Sequence, residues 1–341
     1  MSKIQIIRSV KEDSNNKSGI GYYADLVESE LIKSGHEVYP IPLVMDSRYG
    51  IDNIIGLVKS ALKVIRGRGK MDIVHVSAEH CAFLLPFAKS KKIVTFHHVV
   101  KNGETDTGLW YILWRISASI SKIFTDEYIA ISERTKKSMI ENLKIPAEKI
   151  TVAMHPPKSE MYKESVTKEN LILFIGMLME RKNPKGAVSV FKSILDKSGI
   201  SGYKLIMCGD GILKEELLRM ISEMDLEESV EIVNNISVDE LRRYYNRAKI
   251  LLNTSNYEGL GITTLEAQLC GTPVLYFEDA DIPPEVMEAA VSCKDISDMA
   301  DKAIRLLEDE PYKSEVIKNG ITHSTEFGKN YIDQLSEVYN K

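Results

Sequence analysis

Two glutamates lie eight residues apart where an apolar run meets a helical pattern through a glycine-containing turn. The stretch is NTSNYEGLGITTLEAQLCGTPV (253–274), with Glu258 before the turn and Glu266 inside the helix. Gly259 and Gly261 permit backbone conformations that other residues rarely adopt. A helix that starts there points unpaired N–H groups at the turn, which favours an anion such as phosphate. Because two acids facing phosphate would repel it, we predict that they accept hydrogen bonds from sugar hydroxyls. An ordinary strand–turn–helix with solvated glutamates is the alternative.

A basic pair stands earlier in the chain. Arg181 and Lys182 follow a β-rich run and precede Asn183-Pro184, a predicted helix start. A departing diphosphate needs positive charge where its negative charge develops. Arginine offers a rigid fork and lysine a point charge, so the pair can hold two phosphates differently. A solvated charge pair on a loop is the alternative.

Histidines and glycines mark two further candidate positions. His97 ends the apolar run KIVTFHH and is followed by His98. Because alternate strand residues point to opposite sides, we expect one of them to serve a site, and which one stays open. Gly19 and Gly21 are predicted in a turn after the first strand, a pattern that is also typical of a plain turn.

Length, composition and charge limit the kinds of protein that this chain can be. The chain has 341 residues, 44% hydrophobic and 27% charged, with a net charge of −5. These values predict a two-domain globular protein without nucleic acid as a partner. Residues 1–156 carry a net charge of +5 and the remainder −10. An anionic partner or membrane surface for the first half is one interpretation, and a chance imbalance of solvated charge is the other. Neither a signal peptide nor a membrane span is evident, so a cytoplasmic location is predicted.

Neither a metal nor a cofactor is predicted. Asp279 and Asp281 form an Asp-x-Asp pattern that could hold Mg²⁺, but an exposed loop before Pro283-Pro284 is the favoured interpretation. The cysteines are scattered without Cys-x-x-Cys spacing and are predicted to be reduced core thiols. They are Cys81, Cys208, Cys270 and Cys293.

Strand-like runs alternate with helical patterns along the whole chain, which predicts an α/β fold with parallel sheets and helices on both faces. Predicted strands are 3–8, 36–40, 73–77, 92–97, 128–132, 149–154, 170–176, 203–208, 229–233, 248–255, 272–277 and 290–293. Predicted helices are 22–33, 133–143, 185–197, 213–224, 237–246, 262–270, 296–308 and 330–341.

The alternation is interrupted at His155-Pro156-Pro157 and by a polar stretch after it. We therefore predict two Rossmann-like domains, 1–157 and 168–329, facing each other across a cleft, with helix 330–341 packing back on the first. Ligands are expected at the C-terminal ends of the strands.

Two amphipathic stretches carry apolar residues at helical spacing. They are 52–70, with Ile55, Val58, Leu62 and Ile65 beside five basic residues, and 109–124, with Leu109, Leu113, Ile116, Ile120 and Ile123 beside Trp110 and Trp114. Contact with anionic lipid and a lipid-linked acceptor is one interpretation, and the core face of a Rossmann helix is the other.

Four segments, taken together and in order, resemble the GT-B glycosyltransferases of the large retaining family 4. They are GIGYYADLVESEL (19–31), YIAISERTKKSMIENLKIPAEKITV (128–152), LFIGMLMERKNPKGAV (173–188) and EGLGITTLEAQLCGTPV (258–274). One turn departs from the family pattern: MHPPKSE (154–160) replaces an Asn-Gly-Val-Asp-like turn.

The resemblance implies a GT-B fold with an acceptor-binding first domain and a donor-binding second domain. It implies an enzyme that moves a hexose, with retention and without a metal, from a UDP- or GDP-linked donor to a carbohydrate or lipid-linked acceptor. A nucleotide-sugar epimerase and a non-catalytic sugar-nucleotide-binding protein are the alternatives. Peripheral contact with the inner face of the membrane, through the basic first domain, is a further expectation.

The resemblance also assigns roles to individual residues. Arg181 and Lys182 would bind the donor diphosphate, and Glu258 would contact hydroxyls of the transferred sugar. Glu266 would accept hydrogen bonds from the ribose. His97 would face the transferred sugar from the first domain. The remaining donor-binding positions are Gly19, near the donor phosphate or acceptor, and the backbone N–H groups of Gly261, Ile262 and Thr263, which would hold the distal phosphate.

Overall fold

The computed structural model describes residues 1–10, 19–44, 50–100, 108–199 and 202–341. It divides into two compact units. Unit 1 comprises Met1–His155 and Gly328–Lys341, and unit 2 comprises Pro156–Phe327. Each unit contains one six-stranded sheet whose strands are all parallel.

Strands and helices alternate in unit 1, with two 3₁₀ segments between them. The elements are β1 (Lys3–Val10), α1 (Gly19–Lys33), β2 (Glu37–Val44), α2 (Gly50–Arg66), β3 (Ile73–Val76), a 3₁₀ segment (Glu79–Phe87), β4 (Lys91–Phe96), α3 (Gly108–Phe124), β5 (Glu127–Ala130), α4 (Glu133–Leu143), a second 3₁₀ segment (Ala147–Lys149) and β6 (Ile150–Val152). The strand order in the sheet is β2-β1-β3-β4-β5-β6.

The same alternation builds unit 2. Its elements are β7 (Leu171–Ile175), a 3₁₀ segment (Glu180–Lys182), α5 (Pro184–Ser198), β8 (Lys204–Cys208), α6 (Lys214–Glu223), β9 (Val230–Val233), α7 (Val238–Arg247), β10 (Ile250–Asn253), α8 (Ile262–Leu269), β11 (Val274–Phe277), α9 (Pro284–Met287), β12 (Val291–Cys293), α10 (Ile296–Glu308) and α11 (Glu310–Glu326). The chain then returns to unit 1 as α12 (Tyr331–Asn340).

Burial on both faces explains why the inner strands of unit 2 are largely apolar. In β7, Ile172 and Phe174 belong to one hydrophobic cluster, whereas Leu171 and Leu173 belong to another. Successive side chains of a strand point to opposite faces, so each face of the sheet has its own core. Parallel sheets covered by helices on both sides have this pattern.

The strand order places the ends of particular strands together. In unit 2 the order is β12-β11-β10-β7-β8-β9, so the first strand of the unit, β7, pairs with both β8 and β10. The direction in which successive strands are added reverses between β7 and β10. In open parallel sheets, ligands bind beyond the carboxyl ends of the strands at such a point. A ligand is therefore expected beside the segments that follow β7 and β10.

The structure confirms the predicted α/β fold class and all twelve predicted strands. Helices 133–143 and 296–308 agree with the prediction residue for residue. Helix α11 was not predicted. The turn proposed for Gly19 and Gly21 is wrong, because α1 already begins at Gly19 and both glycines lie in its first turn.

The core-face interpretation of the first amphipathic stretch is also wrong. Ile55, Val58, Leu62 and Ile65 of α2 are 44%, 53%, 46% and 37% exposed. Neighbouring residues on another face, Ser60 and Val64, are the buried ones. In α3, Ile116 and Ile123 are exposed while Trp114 is buried. Leu113 and Ile120 are partly buried, and the side chains of Leu109 and Trp110 lie outside the described residues.

Helix α12 is tied to the sheet of unit 1. Lys91 Nζ donates to the carbonyl of Val338 (2.7 Å), and the Tyr339 hydroxyl lies 2.6 Å from His75 Nδ1 on β3. Burial lowers the pKa of His75 to about 3, so its imidazole is neutral and can accept the tyrosine proton. Among the helices in the described ranges, none is long and apolar enough to cross a bilayer.

Candidate active site

The segment after β7 carries the basic pair into a helix. Arg181 and Lys182 form a single 3₁₀ turn that ends at Asn183, whose φ of 47° is left-handed. The Asn183 side chain accepts a hydrogen bond from the N–H of Gly186, and Pro184 opens α5. Asparagine as the cap followed by proline at the first helical position is a strong helix start, which confirms the predicted one.

The segment after β10 is bound to this turn through its backbone. The N–H of Asn256 donates to the carbonyl of Arg181 (2.8 Å), and the Asn256 side chain donates to the carbonyl of Glu180 (3.0 Å). The Thr254 hydroxyl donates to the carbonyl of Asn183 (2.7 Å). Because β7 and β10 are neighbours, two stretches more than seventy residues apart in sequence are held side by side.

The predicted residues Arg181, Lys182 and Glu258 meet here. Glu258 is buried, and its two oxygens have different partners. Arg181 Nη1 donates to Oε2 (3.0 Å), while Lys182 Nζ forms an ion pair with Oε1. The Ser255 hydroxyl also donates to Oε1 (2.7 Å). Two cations therefore surround one anion at the carboxyl end of the sheet.

The charges around Glu258 determine its ionisation. Burial opposes ionisation, but Lys182, Arg181 and the hydrogen bond from Ser255 outweigh it and lower the pKa of Glu258 to about 2. The carboxylate is thus charged at neutral pH and leaves the group with one excess positive charge. A lysine ammonium has three donors and a guanidinium five, so both cations can bind an incoming anion while retaining Glu258.

The amino end of α8 adjoins this cluster in sequence. Gly261 caps it with a φ of 91°, a left-handed conformation that favours glycine. The N–H of Thr264 bonds the Gly261 carbonyl, whereas helix geometry gives the N–H groups of Ile262 and Thr263 no acceptor within α8. This helix end has the polarity that attracts an anion.

Glu266, in α8, has surroundings unlike those of Glu258. The Tyr245 hydroxyl donates to Oε2 (3.1 Å), and Lys158 Nζ lies 3.4 Å from Oε1. Burial raises the pKa of Glu266, and Lys158 and Tyr245 oppose that shift only in part. Lys158 lies in the HPPK turn, where the sequence departs from the family pattern, so the departure supplies a cation beside Glu266.

His97 and His98 differ in exposure. The His97 ring is buried with Nε2 2.9 Å from the Ser77 carbonyl, and the Tyr23 ring meets it edge-on. Burial lowers the pKa of His97 to about 3, so the neutral ring donates its Nε2 proton to that carbonyl. The side chain of His98 is 34% exposed. Of the two, His98 is the accessible imidazole.

Gly19, the other candidate in unit 1, is exposed at the start of α1. A Cβ added there would meet no described atom within 4 Å. Close approach by another part of the described chain therefore does not explain this glycine.

In the Asp279-x-Asp281 pattern, Asp281 forms hydrogen bonds through its backbone. Asp281 donates its N–H to the Asn256 carbonyl (2.8 Å) and accepts at its own carbonyl from the Glu258 N–H (3.1 Å). The segment thereby braces the loop that carries Glu258. Within the described ranges, no three or more His, Cys, Asp or Glu side chains group as they would around a metal ion.

Sequence patterns did not single out Ser255 or Lys158, which contact the two glutamates. Neither residue type has a spacing that distinguishes it from an ordinary loop residue. A third omission is Glu79, a buried acid in unit 1. The signal for it in the sequence was an acidic residue three positions after an apolar strand.

Two family models match the chain. The model described as Glycosyl transferases group 1 matches residues 158–323, and the model described as Glycosyltransferase Family 4 matches residues 23–154. The chain belongs to the group 1 glycosyltransferases. The family and enzyme class predicted from the sequence are thereby confirmed. The group 1 match covers the basic pair, both glutamates and the start of α8, while the other covers His97.

Individual relatives agree with this family. An α-1,4-N-acetyl-D-galactosaminyltransferase of Campylobacter jejuni is 27% identical over 240 residues, which are 67% of this chain and 65% of that enzyme. The O-antigen chain mannosyltransferase RfbU of Salmonella typhimurium is 23% identical over 249 residues, 69% of each chain. The match to the Campylobacter enzyme thus spans just under two thirds of its length.

A solved structure shares the fold. HepE of Anabaena, crystallised with UDP and glucose, superposes with a TM-score of 0.77 over 100% of both chains at 14% identity. The predicted GT-B fold of this group 1 glycosyltransferase is therefore confirmed.

Proposed function

We propose that this protein transfers a hexose from a UDP- or GDP-linked donor to an acceptor hydroxyl, with retention of configuration and without a metal ion. The observation that carries the proposal is the cluster of Arg181, Lys182 and Glu258 at the carboxyl ends of β7 and β10. The UDP and glucose in the Anabaena structure support a nucleotide-sugar donor.

In this proposal unit 2 binds the donor. The diphosphate lies between the two cations and the N–H groups of Gly261, Ile262 and Thr263. Glu258, held in place by Arg181 and Lys182, accepts hydrogen bonds from the transferred sugar. Glu266 accepts them from the ribose.

The chemical step breaks the bond between the sugar C1 and the diphosphate oxygen and forms one between C1 and the acceptor oxygen on the same face. The acceptor proton goes to the departing phosphate. The cations and the α8 helix end stabilise the negative charge that grows on the leaving group. Because these groups supply the positive charge, no metal is needed, and EDTA should leave the rate unchanged.

Unit 1 is proposed to bind the acceptor and to supply the residues at the end of β4. The His97 imidazole is engaged by Ser77, so we assign the contact with the sugar to the His97 backbone or to the His98 side chain. The Campylobacter relative, whose name gives an undecaprenol diphosphate-linked acceptor, supports a lipid-linked substrate.

Helix α2 supports contact with the membrane surface that would carry such an acceptor. Its exposed stripe of Ile55, Val58, Leu62 and Ile65 lies beside Lys59, Lys63 and Arg66, which are exposed as well. Apolar side chains enter the lipid interface while basic ones meet anionic headgroups. We propose that α2 rests on the inner face of the membrane.

Donor binding is tested by titrating UDP, GDP, the matching monophosphates and the nucleosides into wild type and Arg181→Ala. Loss of a hydrogen bond to a charged group weakens binding by about 1.5–3 kcal/mol, roughly 10- to 150-fold. We expect that loss for the diphosphate and almost none for the nucleoside. Arg247→Ala is the matched control, because Arg247 pairs with Glu169 elsewhere in unit 2. Equal diphosphate affinity in wild type and Arg181→Ala would contradict the proposal.

Membrane contact is tested by sedimentation with phosphatidylcholine vesicles that contain or lack phosphatidylserine. Val58→Glu with Leu62→Glu should abolish binding to the anionic vesicles. Ile212→Glu is the control, because Ile212 is an exposed apolar residue of unit 2. If the α2 variant sediments like wild type, α2 is not the contact.

A further inference from the structure

Glu79 is a buried acid that the proposed reaction does not use. It follows β3 and is the first residue of the 3₁₀ segment Glu79–Phe87. Only 1% of its surface is exposed, so a soluble substrate does not reach its carboxyl group in this arrangement. A buried carboxylate is costly to retain unless it is hydrogen-bonded.

Two elements donate hydrogen bonds to that carboxyl. The backbone N–H of His97, at the end of β4, donates to Oε2 (3.1 Å), and the indole N–H of Trp114, on α3, donates to Oε1 (3.3 Å). The Ser117 hydroxyl, also on α3, donates to the Glu79 carbonyl (2.7 Å). Glu79 therefore ties β4 and α3 to the end of β3.

Only an ionised carboxyl can accept at both oxygens without offering a donor of its own. A glutamine of the same shape would turn its NH₂ group towards either the His97 N–H or the Trp114 N–H. The two donors thus require the acid rather than its amide.

The Glu79 carboxyl has a titratable neighbour. His98 Nδ1 lies 3.9 Å from Oε1, which is an ion-pair distance when the imidazole is protonated. Burial raises the pKa of Glu79 to about 7, against the opposing hydrogen bonds from His97 and Trp114. Among the described residues, the other titratable groups close to it are His80 and His97, whose pKa values burial lowers to about 4 and about 3, and Cys81, whose thiol pKa is raised by burial and by Glu79.

We infer that Glu79 is a positioning residue for sugar transfer: its carboxyl fixes the backbone at His97 and orients the His98 imidazole without touching substrate. The inference rests on the proposed function, in which the end of β4 serves the transferred sugar. Its prediction is a change in turnover with no change in donor binding.

The test compares wild type, Glu79→Gln and Trp114→Phe in transfer assays across pH 5.5–8.5 and in titrations with nucleoside diphosphate. Misplacing groups near the reaction by about 1 Å lowers the rate up to roughly 100-fold, so we expect kcat to fall about 10- to 100-fold in Glu79→Gln. Nucleoside diphosphate affinity should stay at the wild-type value. The pH–rate profile of wild type should contain a step near pH 7 that Glu79→Gln lacks.

Trp114→Phe keeps an aromatic ring at this position but removes one hydrogen-bond donor to the ionised Glu79 carboxyl. The step in the pH–rate profile of this variant should therefore move to higher pH. This variant decides the matter if Glu79→Gln is unstable. Glu30→Gln, at a residue of α1 that pairs with Lys33, is the isosteric control and should keep the wild-type profile. A wild-type kcat in Glu79→Gln, or an unmoved step in Trp114→Phe, would overturn the inference alone. A wild type that binds and uses none of the nucleotide sugars would overturn the proposed function and this inference with it.

Discussion

Glu258 in unit 2 and Glu79 in unit 1 are both buried carboxyls beyond the ends of parallel strands, yet their surroundings are opposite. Glu258 lies between two cations, which lower its pKa to about 2 against the effect of burial. Among the described residues, the hydrogen bonds to the Glu79 carboxyl come from the neutral N–H groups of His97 and Trp114, and burial raises its pKa to about 7. The presence of cations, rather than the depth of burial, decides which carboxyl is permanently charged.

The difference separates two uses of the same side chain. A permanently charged glutamate among cations suits a site that holds a diphosphate and a sugar through charge and hydrogen bonds. A glutamate that changes its protonation near neutral pH suits the orientation of a neighbouring imidazole. Variants that remove the two cations, one carboxylate or one donor test this difference.

The largest effect is expected from the double variant Arg181→Ala with Lys182→Ala. It leaves Glu258 buried without a cation, which costs about 3–5 kcal/mol of the free energy of unfolding. Urea denaturation at pH 7 measures the loss. Adding Glu258→Gln to the same chain removes the orphaned charge and should restore most of the stability. A double variant as stable as wild type would show that the ion pairs do not hold Glu258.

A smaller, pH-dependent effect is expected for Glu79→Gln. The folded pKa of about 7 exceeds the unfolded value of 4.5, so the folded state binds the proton more tightly and wild type loses stability as the pH rises between them. The variant has no such proton. Its stability relative to wild type should therefore increase by up to about 3 kcal/mol from pH 4.5 to 7.

For Glu258→Gln, the free energy of unfolding relative to wild type should change with pH in the opposite direction. The folded pKa of Glu258 lies below 4.5, so its stabilisation is present above that pH and is lost as the pH falls towards 2. Parallel pH profiles for the two glutamine variants would mean that the two carboxyls do not differ as described.

The smallest effect is expected for Ser255→Ala. This change removes a neutral donor to the Glu258 carboxylate and leaves both cations, so the free energy of unfolding should fall by about 1.5 kcal/mol, the lower end for a hydrogen bond to a charged group. Ser60→Ala, which removes the hydrogen bond from Ser60 Oγ to the neutral Pro42 carbonyl, is the control for loss of a serine hydroxyl without a charged acceptor. A loss for Ser255→Ala as large as that of the double variant would contradict the ranking of cations above neutral donors.

Much of the fold was predictable because its signals are local. Each strand of a parallel sheet is a short apolar run, and the alternation of strands and helices is visible without knowledge of contacts. The capped start of α5 and the glycine turn before α8 were also visible, since the preference for proline after the cap and for glycine at positive φ belongs to single residues. Helix α2 is the counterexample: its apolar stripe was compatible with a core face as well as with lipid contact, and the structure exposes it.

By itself, the sequence determined the order of the elements, the fold class and the residue types available for chemistry at 181–182 and 258–266. The tertiary structure alone decided that Arg181 and Lys182 flank Glu258, because this requires β7 and β10 to be neighbours in the sheet although they are distant in the chain. It also decided that His97 is held by Ser77 and Glu79. Ionisation depends on which charges and donors lie within a few ångströms, and that distance is set by packing rather than by sequence spacing.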